Sequence, residues 1–556
     1  MAISSTTSTS STTATSSTAS SVTGIDYDAL VQTVVAAKTL PADRIDVQVT
    51  KNEAMIQAYQ EMQSLTATLT DAANALRMPE GYSSSSDDLF DQRTAYVTGS
   101  STASSLLGVS VANGTDLGSH SVEILQLATA QKIASGNQAS ASTALGLSGS
   151  FTIAAGSGTA QTINLTATST LTQLAAAIND TSAASGVSAS VLKVSDAEYR
   201  LVLTAKETGQ SISLAGDDDG ILTSLGLTDS DGAIANELVA ARSAILNVDG
   251  VQVTRTDNSI TDIWNGVTLD LYGASAGTTL TVEIDSDLSA IKTGIVAFAD
   301  AYNALRDFVL SQQSTSSTDE NGDTTQSALF ADSLMRQIAT SLATSLNHQD
   351  GTNSLATLGI TLDRNNKMVI DEDTLDNALL SNLDAIKSLL GFSMESSSTS
   401  MMLLRRPTTL AANDFTLDIT VDATGAMTSV AVDGDSSKFT INGTRITGAE
   451  GTEFAGLVFV YTGSSASVDI KLTSGIADQI YQTGTLASDS ATGSLQSKID
   501  DLVDYNSDLE SRAADIRTKA EAYGENLREY YARLEAKAQT AKLLLKQLEA
   551  ASNTDD

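Results

Sequence analysis

Apolar side chains near the C-terminus recur at alternating spacings of three and four residues over about eight heptads. Between Ser494 and Ala550 there is no proline and only one glycine. One line of the repeat consists of Leu495, Leu502, Leu509, Ile516, Tyr523, Tyr530 and Leu544, and the other consists of Ile499, Ala513, Ala520, Leu527, Leu534, Ala541 and Leu548. This pattern predicts a coiled-coil helix roughly 80 Å long that projects as a stalk. So many consecutive heptads disfavour the alternative, an ordinary amphipathic surface helix.

Two polar residues, Asn506 and Lys537, interrupt this C-terminal repeat. A polar group at a core position of a coiled coil costs stability, but it penalises slipped registers in which it would face leucine. We therefore predict that Asn506 and Lys537 fix the register of the helix.

A second heptad pattern near the N-terminus provides a partner for that helix. Its positions are Met55, Ala58, Met62, Leu65, Leu69, Ala72 and Leu76. The pattern predicts a stalk helix over 43–79, ending at Met78-Pro79 because proline cannot continue a helix. Residues 1–42 are expected to hold a disordered leader and a short helix that stops before Leu40-Pro41. Antiparallel pairing of the terminal helices would leave about 400 residues as an insertion, at a loop-closure cost that rises only logarithmically.

Between the terminal helices the pattern changes to alternation of period two, which is typical of half-buried strands. A strand is predicted around 121–127, and Asp249-Gly250 predicts a hairpin turn. The segment that begins at Thr170 has the spacing of a capping box and predicts a short helix, followed by strands at 187–194 and 199–203. We assign 80–140 and 236–286 to a discontinuous β-rich head domain and 141–235 to an inserted α+β head domain.

The remaining segments predict a helical base and one more β unit. A hairpin across Asn365-Asn366, a helix that begins near Asp371 and a stop at Gly391 place a helical stalk-base region at 287–392. Alternating runs and glycine-rich turns predict an extra β insert domain at 393–474, and 475–556 holds the C-terminal coiled-coil helix and tail. The predicted fold class is α+β multidomain, with a terminal antiparallel helical coiled-coil stalk and inserted β-rich head domains.

Composition narrows the classes of function. Over 556 residues the formal charge is −36, from 67 acidic and 31 basic residues, which disfavours nucleic acid as a partner. No apolar run approaches the ~18 to 20 residues of a spanning helix, so we expect no membrane insertion. There is no cysteine, and His120 and His348 are the only histidines, so disulfides, thiolate zinc sites and multi-histidine metal sites are excluded.

Candidate catalytic or metal-binding residues are sparse. The acidic run Asp217–Gly220 offers oxygen ligands to calcium but lacks the spacing of an EF-hand loop, so a solvated turn is the preferred interpretation. The carboxylates of 371–373 are interpreted as helix caps. No phosphate loop, nucleophile elbow or zinc-protease motif occurs. We therefore expect no enzyme activity, no cofactor and no metal.

The first 23 residues contain 17 serines or threonines, with neither a basic nor an apolar region of a secretory signal. Such a segment buries too little apolar surface to offset its chain entropy and is expected to be disordered. Two interpretations stay open, a tail without function and an unfolded export leader.

Several stretches resemble the flagellar filament cap family, also called hook-associated protein 2. The run LATLGITLDRNNKMVIDEDTLDNALLSNLDAIKSLLG, 355–391, resembles the family's C-terminal block, and NSITDIWNGVTLDL, 258–271, resembles its central strand motif. The helix AFADAYNALRDFV and the heptad tail ENLREYYARLEAKAQTAKLLLKQL are also similar to the family. The stretches GSHSVEILQLATAQKIASG and LTQLAAAIND resemble repeats shared with flagellins. The insert over roughly 393–474 and the long leader depart from the family pattern.

The resemblance implies a cap at the distal end of the flagellar filament that promotes folding and polymerisation of exported flagellin and prevents its loss. The implied state is a homo-oligomer of about five copies, with its heads in a plate and its helical legs in the growing tube. The implied partners are flagellin, the hook-associated junction proteins and a flagellar export chaperone that holds the C-terminal helix. The implied location is the extracellular flagellum tip, after export through the flagellar type III apparatus.

We predict that flagellin contacts the terminal helices. The predicted docking positions are Leu30, Val31, Val34, Leu527, Leu534 and Leu548, and for each of them a place in the core of the chain itself is the equal alternative. Two other functions stay open at this point: a surface adhesin that binds host glycans through head loops, and another hook-associated junction protein.

Overall fold

The computed structural model describes residues 24–77, 88–217, 219–314, 326–407 and 413–552, together with short strands at 317–318 and 324–325. Most of the predicted disordered leader lies outside these ranges, and so does the predicted helix stop at Met78-Pro79. The described helices, in chain order, are α1 (Tyr27–Asn74), α2 (Ala103–Leu106), α3 (Leu171–Asp180), α4 (Ser182–Ser185), α5 (Ile221–Ser224), α6 (Leu288–Gln313), α7 (Ser333–Ser345), α8 (Glu372–Ser381), α9 (Leu383–Leu390), α10 (Ile476–Ser488) and α11 (Ser494–Ser552).

The N-terminal helix corrects the sequence prediction of two helices separated at Pro41. Helix α1 runs without a break from Tyr27 to Asn74 and contains Pro41 in its interior. An interior proline removes one backbone hydrogen bond and costs about 3 kcal/mol. Val31, Ala42 and Val49 are buried on both sides of Pro41, and at roughly 1.5 to 3 kcal/mol for each large buried side chain this burial offsets that cost. Packing against the partner helix therefore overrides the local signal.

The strands of the head come first along the chain. They are β1 (Arg93–Thr98), β2 (Leu107–Val111), β3 (Gly118–Gln126), β4 (Lys132–Ala134), β5 (Gly149–Ala155), β6 (Gln161–Leu165), β7 (Val187–Ser195), β8 (Glu198–Ala205), β9 (Ile212–Ala215), β10 (Glu237–Val239), β11 (Ala244–Val248), β12 (Val251–Arg255), β13 (Ser259–Ile260), β14 (Val267–Leu271) and β15 (Thr279–Ser286). All their pairings are antiparallel.

Two separate apolar cores hold the head together. A five-stranded sheet of order β1-β15-β3-β11-β12 and a three-stranded sheet of order β13-β14-β2 enclose one core. A four-stranded sheet of order β10-β4-β8-β7, a three-stranded sheet of order β6-β5-β9 and helix α3 enclose the other. The predicted hairpin is confirmed, because Asp249 and Gly250 both have positive φ between β11 and β12, as a tight hairpin turn requires. The capping box at Thr170 is confirmed as well.

The helical base gathers α6 to α10 around the C-terminal half of α1 and the beginning of α11 in one apolar core. Its strands are β16 (Ser317–Thr318), β17 (Thr324–Thr325), β18 (Ile360–Leu362) and β19 (Met368–Ile370). The predicted hairpin lies between β18 and β19, with Asn366 at positive φ. Asp371 caps α8 by accepting the Thr374 N–H at 3.0 Å, which lowers the pKa of its carboxyl, so the capping interpretation is confirmed.

An additional β unit lies between α9 and α10. Its strands are β20 (Phe392–Ser396), β21 (Met401–Arg405), β22 (Asp414–Val421), β23 (Met427–Ala431), β24 (Phe439–Asn442), β25 (Arg445–Gly448), β26 (Val458–Tyr461) and β27 (Ala466–Ser474). They form two four-stranded sheets, of order β20-β27-β22-β23 and β21-β26-β25-β24, around a core of their own. The chain enters along β20 and leaves along β27, which pair with each other.

Candidate assembly site on the terminal helices

Helices α1 and α11 lie side by side and run in opposite directions. The order of their contacts shows this, since Gln63 hydrogen-bonds Gln496, Asn52 bonds Asn506 and, further out, the ring of Tyr27 stacks on that of Tyr531 with centroids 4.7 Å apart. The fold class is therefore an α+β multidomain protein with an antiparallel helical stalk.

A buried polar contact lies in the middle of this stalk. The Nδ2 atom of Asn52 donates to Oδ1 of Asn506 at 2.7 Å, and the side-chain oxygen of Asn52 accepts from Gln48 Nε2 at 2.9 Å. Both asparagines are buried. Sequence reasoning found Asn506 but missed Asn52, because the alternating spacing places the position before Met55 at Lys51 and leaves Asn52 outside the N-terminal heptad pattern.

Towards its outer end the stalk is held by contacts that are more exposed. Arg517 forms ion pairs with Asp43 and Asp46, and Lys38 Nζ lies 4.2 Å from the centroid of the Tyr523 ring. At Gly524 the helices are so close that a Cβ atom would lie 2.6 Å from Val35 Cγ2. Surface ion pairs contribute only about 0 to 1 kcal/mol each, so this half of the stalk is held more weakly than the base.

The C-terminal heptad pattern is only partly buried. Leu495, Ile499, Leu502, Leu509, Ala513 and Ala520 pack inside. In contrast, Tyr523, Tyr530, Leu534, Leu544 and Leu548 are exposed, which corrects their prediction as seam residues of the chain's own coiled coil. Beyond Ala520 only α1 faces α11, and α1 begins at Tyr27, opposite Tyr531, so the last turns of α11 have no facing helix within the described residues.

The segment 532–552 of α11, here called the overhang, carries a line of exposed leucines. The exposed fractions are 39% for Leu534 and 66% for Leu548, and Leu543, Leu544 and Leu545 lie between these values. The overhang contains four basic and two acidic residues: Arg533, Lys537, Lys542, Lys546, Glu535 and Glu549. An amphipathic, net basic helix end therefore projects from a chain whose total charge is −36.

The structure places the predicted docking residues in two groups. Val31 is 1% exposed, and Val34 and Leu527 are half-buried between the helices, so these three contribute to the stalk itself. Leu30, Leu534 and Leu548 face outward. Their contact with flagellin stays a prediction. The proposed register residue Lys537 lies on the exposed overhang, with no helix opposite it in the described part of the chain.

A second buried polar cluster, which sequence reasoning missed, joins the stalk to the β insert. Asp478 on α10 is completely buried, and its Oδ1 accepts from Arg406 at 2.7 Å and from Arg77 at 3.4 Å. Arg77 stacks over the Tyr481 ring and Arg406 over the Phe392 ring, at 3.5 and 4.2 Å from the centroids. These residues come from the end of α1, the insert and α10, far apart in sequence.

The acidic run Asp217–Gly220, considered above as a calcium site, contributes a helix cap through Asp217. Both carboxylate oxygens of Asp217 accept backbone N–H groups, those of Ile221 and Leu222 at the beginning of α5. Asp218 lies outside the described residues. Across the described ranges, no group of three His, Asp or Glu side chains is arranged to hold a metal ion. None of the helices described here has both the length and the apolarity needed to cross a bilayer.

Comparisons with known proteins identify relatives over most of the chain. The family model described as flagellar hook-associated protein 2 C-terminus matches residues 241–542, and that of the N-terminus matches 23–131. The flagellin hook IN motif matches 150–207.

Individual relatives carry the same description. The B-type flagellar hook-associated protein 2 of Pseudomonas aeruginosa is 27% identical over 385 residues, covering 65% of this chain and 78% of that protein. The flagellar hook-associated protein 2 of Salmonella typhimurium is 35% identical over 229 residues, 38% of this chain and 47% of that protein. A crystal structure of the flagellar cap protein FliD domains D1-D2-D3 from Escherichia coli aligns with 28% identity and a TM-score of 0.46 over 60% of this chain and 90% of that one. Because the C-terminal family model alone matches more than half of the chain, this protein belongs to the flagellar hook-associated protein 2 family.

Proposed function

We propose that this protein forms the distal cap of a bacterial flagellar filament, where it promotes folding and polymerisation of exported flagellin and prevents its loss. The observation that carries the proposal is the match of the hook-associated protein 2 family model over residues 241–542. The comparisons do not support the adhesin alternative, and the family description is that of protein 2 rather than of another junction protein.

The arrangement of the chain suits a cap that has a part outside the tube and a part within it. The head strands follow the end of α1, and the N–H of Asp287, just before α6, donates to Gln92 at 3.1 Å, so the head adjoins the base. The overhang lies at the other end of α11. A protein with a β-rich plate at one end and exposed leucines at the other can remain outside a filament while its helices reach into it.

We propose the overhang and the outward residues of the stalk as the contacts with other flagellar proteins. Exposed leucines on a helix end that faces no other helix in the described part of the chain supply the apolar anchors of helix-in-groove recognition. Flagellin would use Leu30, Leu534 and Leu548 during assembly, and an export chaperone would cover the same overhang before export through the type III apparatus. The homo-oligomer of about five copies and the contact with the hook-associated junction proteins belong to the same proposal, as does location at the filament tip outside the cell.

The proposed role requires no covalent chemistry, cofactor or metal. The relatives and family models carry the description of flagellar cap or hook-associated proteins, and none of those named here is described as an enzyme. Each incoming flagellin would be helped only by contacts that form and break as the cap moves.

Deletion of the gene tests the proposal. The deletion strain should secrete monomeric flagellin into the medium and build no filaments, and the full chain supplied in trans should restore filaments. Normal filaments in the deletion strain would contradict the cap function. Normal filaments together with lost attachment to surfaces would instead favour the adhesin.

A further inference from the structure

A groove on the helical base is lined by basic, polar and small side chains. It lies between α6, α7 and the β18–β19 hairpin and has a volume of about 360 Å³. Helix α6 contributes Arg306 and Gln313, α7 contributes one face that includes Arg336 and Thr340, and the hairpin contributes Asn366. None of the described residues that line it is acidic, although the whole chain has 67 acidic and 31 basic residues. This groove, here called the base groove, is therefore a positively charged site on a strongly acidic protein.

Backbone carbonyl oxygens hold the two arginines of the base groove in place. Nε of Arg306 donates to the carbonyl oxygen of Asn365 at 2.6 Å. Arg336 donates through Nε to the carbonyl oxygen of Asp332 and through Nη2 to that of Ala331, both at 3.0 Å. Within the described chain, both terminal nitrogens of Arg306 and Nη1 of Arg336 remain available to a ligand. A guanidinium group that is already fixed loses less side-chain entropy when it binds.

Carboxylates on the same elements have other partners. Asp307 forms an ion pair with Lys367 at 2.9 Å. The carboxylate of Asp332 accepts the Tyr59 hydroxyl and the Met335 N–H, both at 2.7 Å. Neither arginine of the base groove forms an ion pair in the part of the chain that the structure describes. Their positive charge is therefore not neutralised by these neighbours.

The dimensions and the lining of the base groove suit a short extended segment of polypeptide. At 1.5 Å per residue, α7 from Arg336 to Thr344 spans roughly 12 Å, the length of about four residues of a strand. Ala339 and Ala343 leave room for a backbone, and Thr340 supplies a hydroxyl that can bond to it. A long polyanion such as a nucleic acid is disfavoured, because the surrounding surface belongs to a chain of charge −36.

We propose that the base groove binds a short acidic segment of another polypeptide, with its carboxylates on the guanidinium groups of Arg306 and Arg336. Arginine binds a carboxylate through two parallel N–H bonds, and clusters of arginines recognise acidic peptide motifs. The base groove is separate from the overhang. It gives the chain a second surface for a partner, which goes beyond the contacts proposed for the cap.

Binding of a fluorescent hexaglutamate peptide to the full chain, measured by anisotropy at low ionic strength, tests this proposal. Arg306→Gln and Arg336→Gln should each weaken binding at least about tenfold, because a charge-assisted hydrogen bond is lost. Arg336→Lys keeps the charge but not the planar fork, so it should show most of the same loss. Arg445→Gln, which removes an exposed arginine of the β insert, is the matched control and should bind like the natural chain.

A second variant tests the groove while both arginines stay in place. Thr344→Trp fills the base groove from an exposed position and should abolish binding. Thr518→Trp is its control, because Thr344 and Thr518 are both exposed and each donates its hydroxyl to the carbonyl oxygen four residues earlier. A hexaglutamine peptide should not bind.

Two results would overturn the inference. One is equal binding of hexaglutamate by the natural chain and by the double variant Arg306→Gln, Arg336→Gln. The other is displacement of the peptide by sulfate but not by chloride at equal ionic strength, which would show a simple anion site. Because both are measured on the purified chain, they leave the deletion experiment on filaments unaffected, and the inference and the cap function can fail separately.

Discussion

At the scale of single residues, the hydrogen bond between Asn52 and Asn506 in the stalk can be tested through its effect on the free energy of unfolding. In the variant Asn52→Leu, the amide of Asn506 stays buried without its partner, which should lower the free energy of unfolding by about 1–3 kcal/mol. The double variant Asn52→Leu, Asn506→Leu should recover most of this loss, because two leucines bury apolar surface with no orphaned polar group. Urea denaturation of the three proteins measures both effects.

A control separates the buried contact from general effects of substitution in the stalk. Thr518→Leu changes an exposed position of α11 and should leave the unfolding free energy within about 0.5 kcal/mol of the natural value. If Asn52→Leu behaved like this control, the Asn52–Asn506 hydrogen bond would not contribute measurably to the stalk.

Asp88 gives the stability a pH dependence. Burial raises the pKa of its carboxyl from 3.8 to about 6, although the Phe90 N–H that it accepts at 2.9 Å acts in the opposite direction. Between these two pH values the folded chain binds more protons than the unfolded chain, so this carboxyl makes stability fall as pH rises from about 4 to 6. Asp88→Asn should therefore stabilise the protein by about 1–3 kcal/mol at pH 7 and change little near pH 4.

Denaturation of Asp88→Asn and the natural chain at several pH values checks whether the stability difference between them grows as pH rises. Asp116→Asn is a suitable control, because Asp116 is exposed and its substitution should change stability little at any pH. A stability gain in Asp88→Asn that was the same at pH 4 and pH 7 would contradict the role of ionisation.

The residues that could be predicted are those that interrupt a repeat or belong to a local capping pattern. Asn506 is recognisable because it interrupts a long heptad repeat, whereas the cluster around Asp478 could not be predicted. Arg77 and Arg406 lie far from Asp478 along the chain and belong to no repeat, so only the fold brings them together. Local signals such as the cap at Asp371 were predictable because donor and acceptor are three residues apart.

At the scale of elements, the two terminal helices show where periodicity is informative and where it is not. The repeat predicted that α11 exists and pairs with α1, but it continues past Tyr531, where the paired helix α1 has already ended. An ideal helix also drifts by about 20° per heptad relative to a strict seven-residue repeat. Periodicity therefore describes which face is apolar, whereas the length and position of the partner decide which part of that face is buried.

The overhang provides the prediction at this scale. The described side chains that a chain truncated after Tyr531 loses, those of 532–549, are exposed or half-buried, so its unfolding free energy should stay within about 0.5 kcal/mol of the natural value. The same truncation should fail to restore filaments in the deletion strain, because the exposed leucines are gone. Denaturation and electron microscopy of complemented cells measure the two outcomes.

A full-length variant separates loss of contact from loss of helix. Leu544→Ser with Leu548→Ser keeps the length and charge of α11 and should reproduce the assembly defect. Leu486→Ser on α10 is the matched control, since Leu486 and Leu548 are both 66% exposed. Filaments restored by the truncated chain would remove the overhang from the proposed site.

At the scale of the whole molecule, the β insert has a core of its own but is firmly joined to the base. It is connected by the paired strands β20 and β27, and the N–H of Gly475 donates to the carbonyl oxygen of Gly391 at 2.7 Å. Arg406 adds a buried ion pair with Asp478 in the base. A buried charge that loses its partner typically costs about 3–5 kcal/mol, but Asp478 would keep Arg77 at 3.4 Å and Gln482 at 2.9 Å, so the loss of Arg406 should cost less than that.

This arrangement predicts that the insert stabilises the base mainly through one side chain. Replacing 392–474 by a short Gly/Ser link between Gly391 and Gly475 should leave the base folded but destabilised by up to about 3 kcal/mol. Arg406→Met in the full chain should destabilise the base by a similar amount, while Arg405→Met, at an exposed neighbour, should not. Calorimetry of the three proteins measures the base transition. If excision destabilised the base while Arg406→Met did not, the stabilisation would come from other contacts between insert and base, such as the hydrogen bond that Gln479 Nε2 donates to the carbonyl oxygen of Ser474 at 2.8 Å.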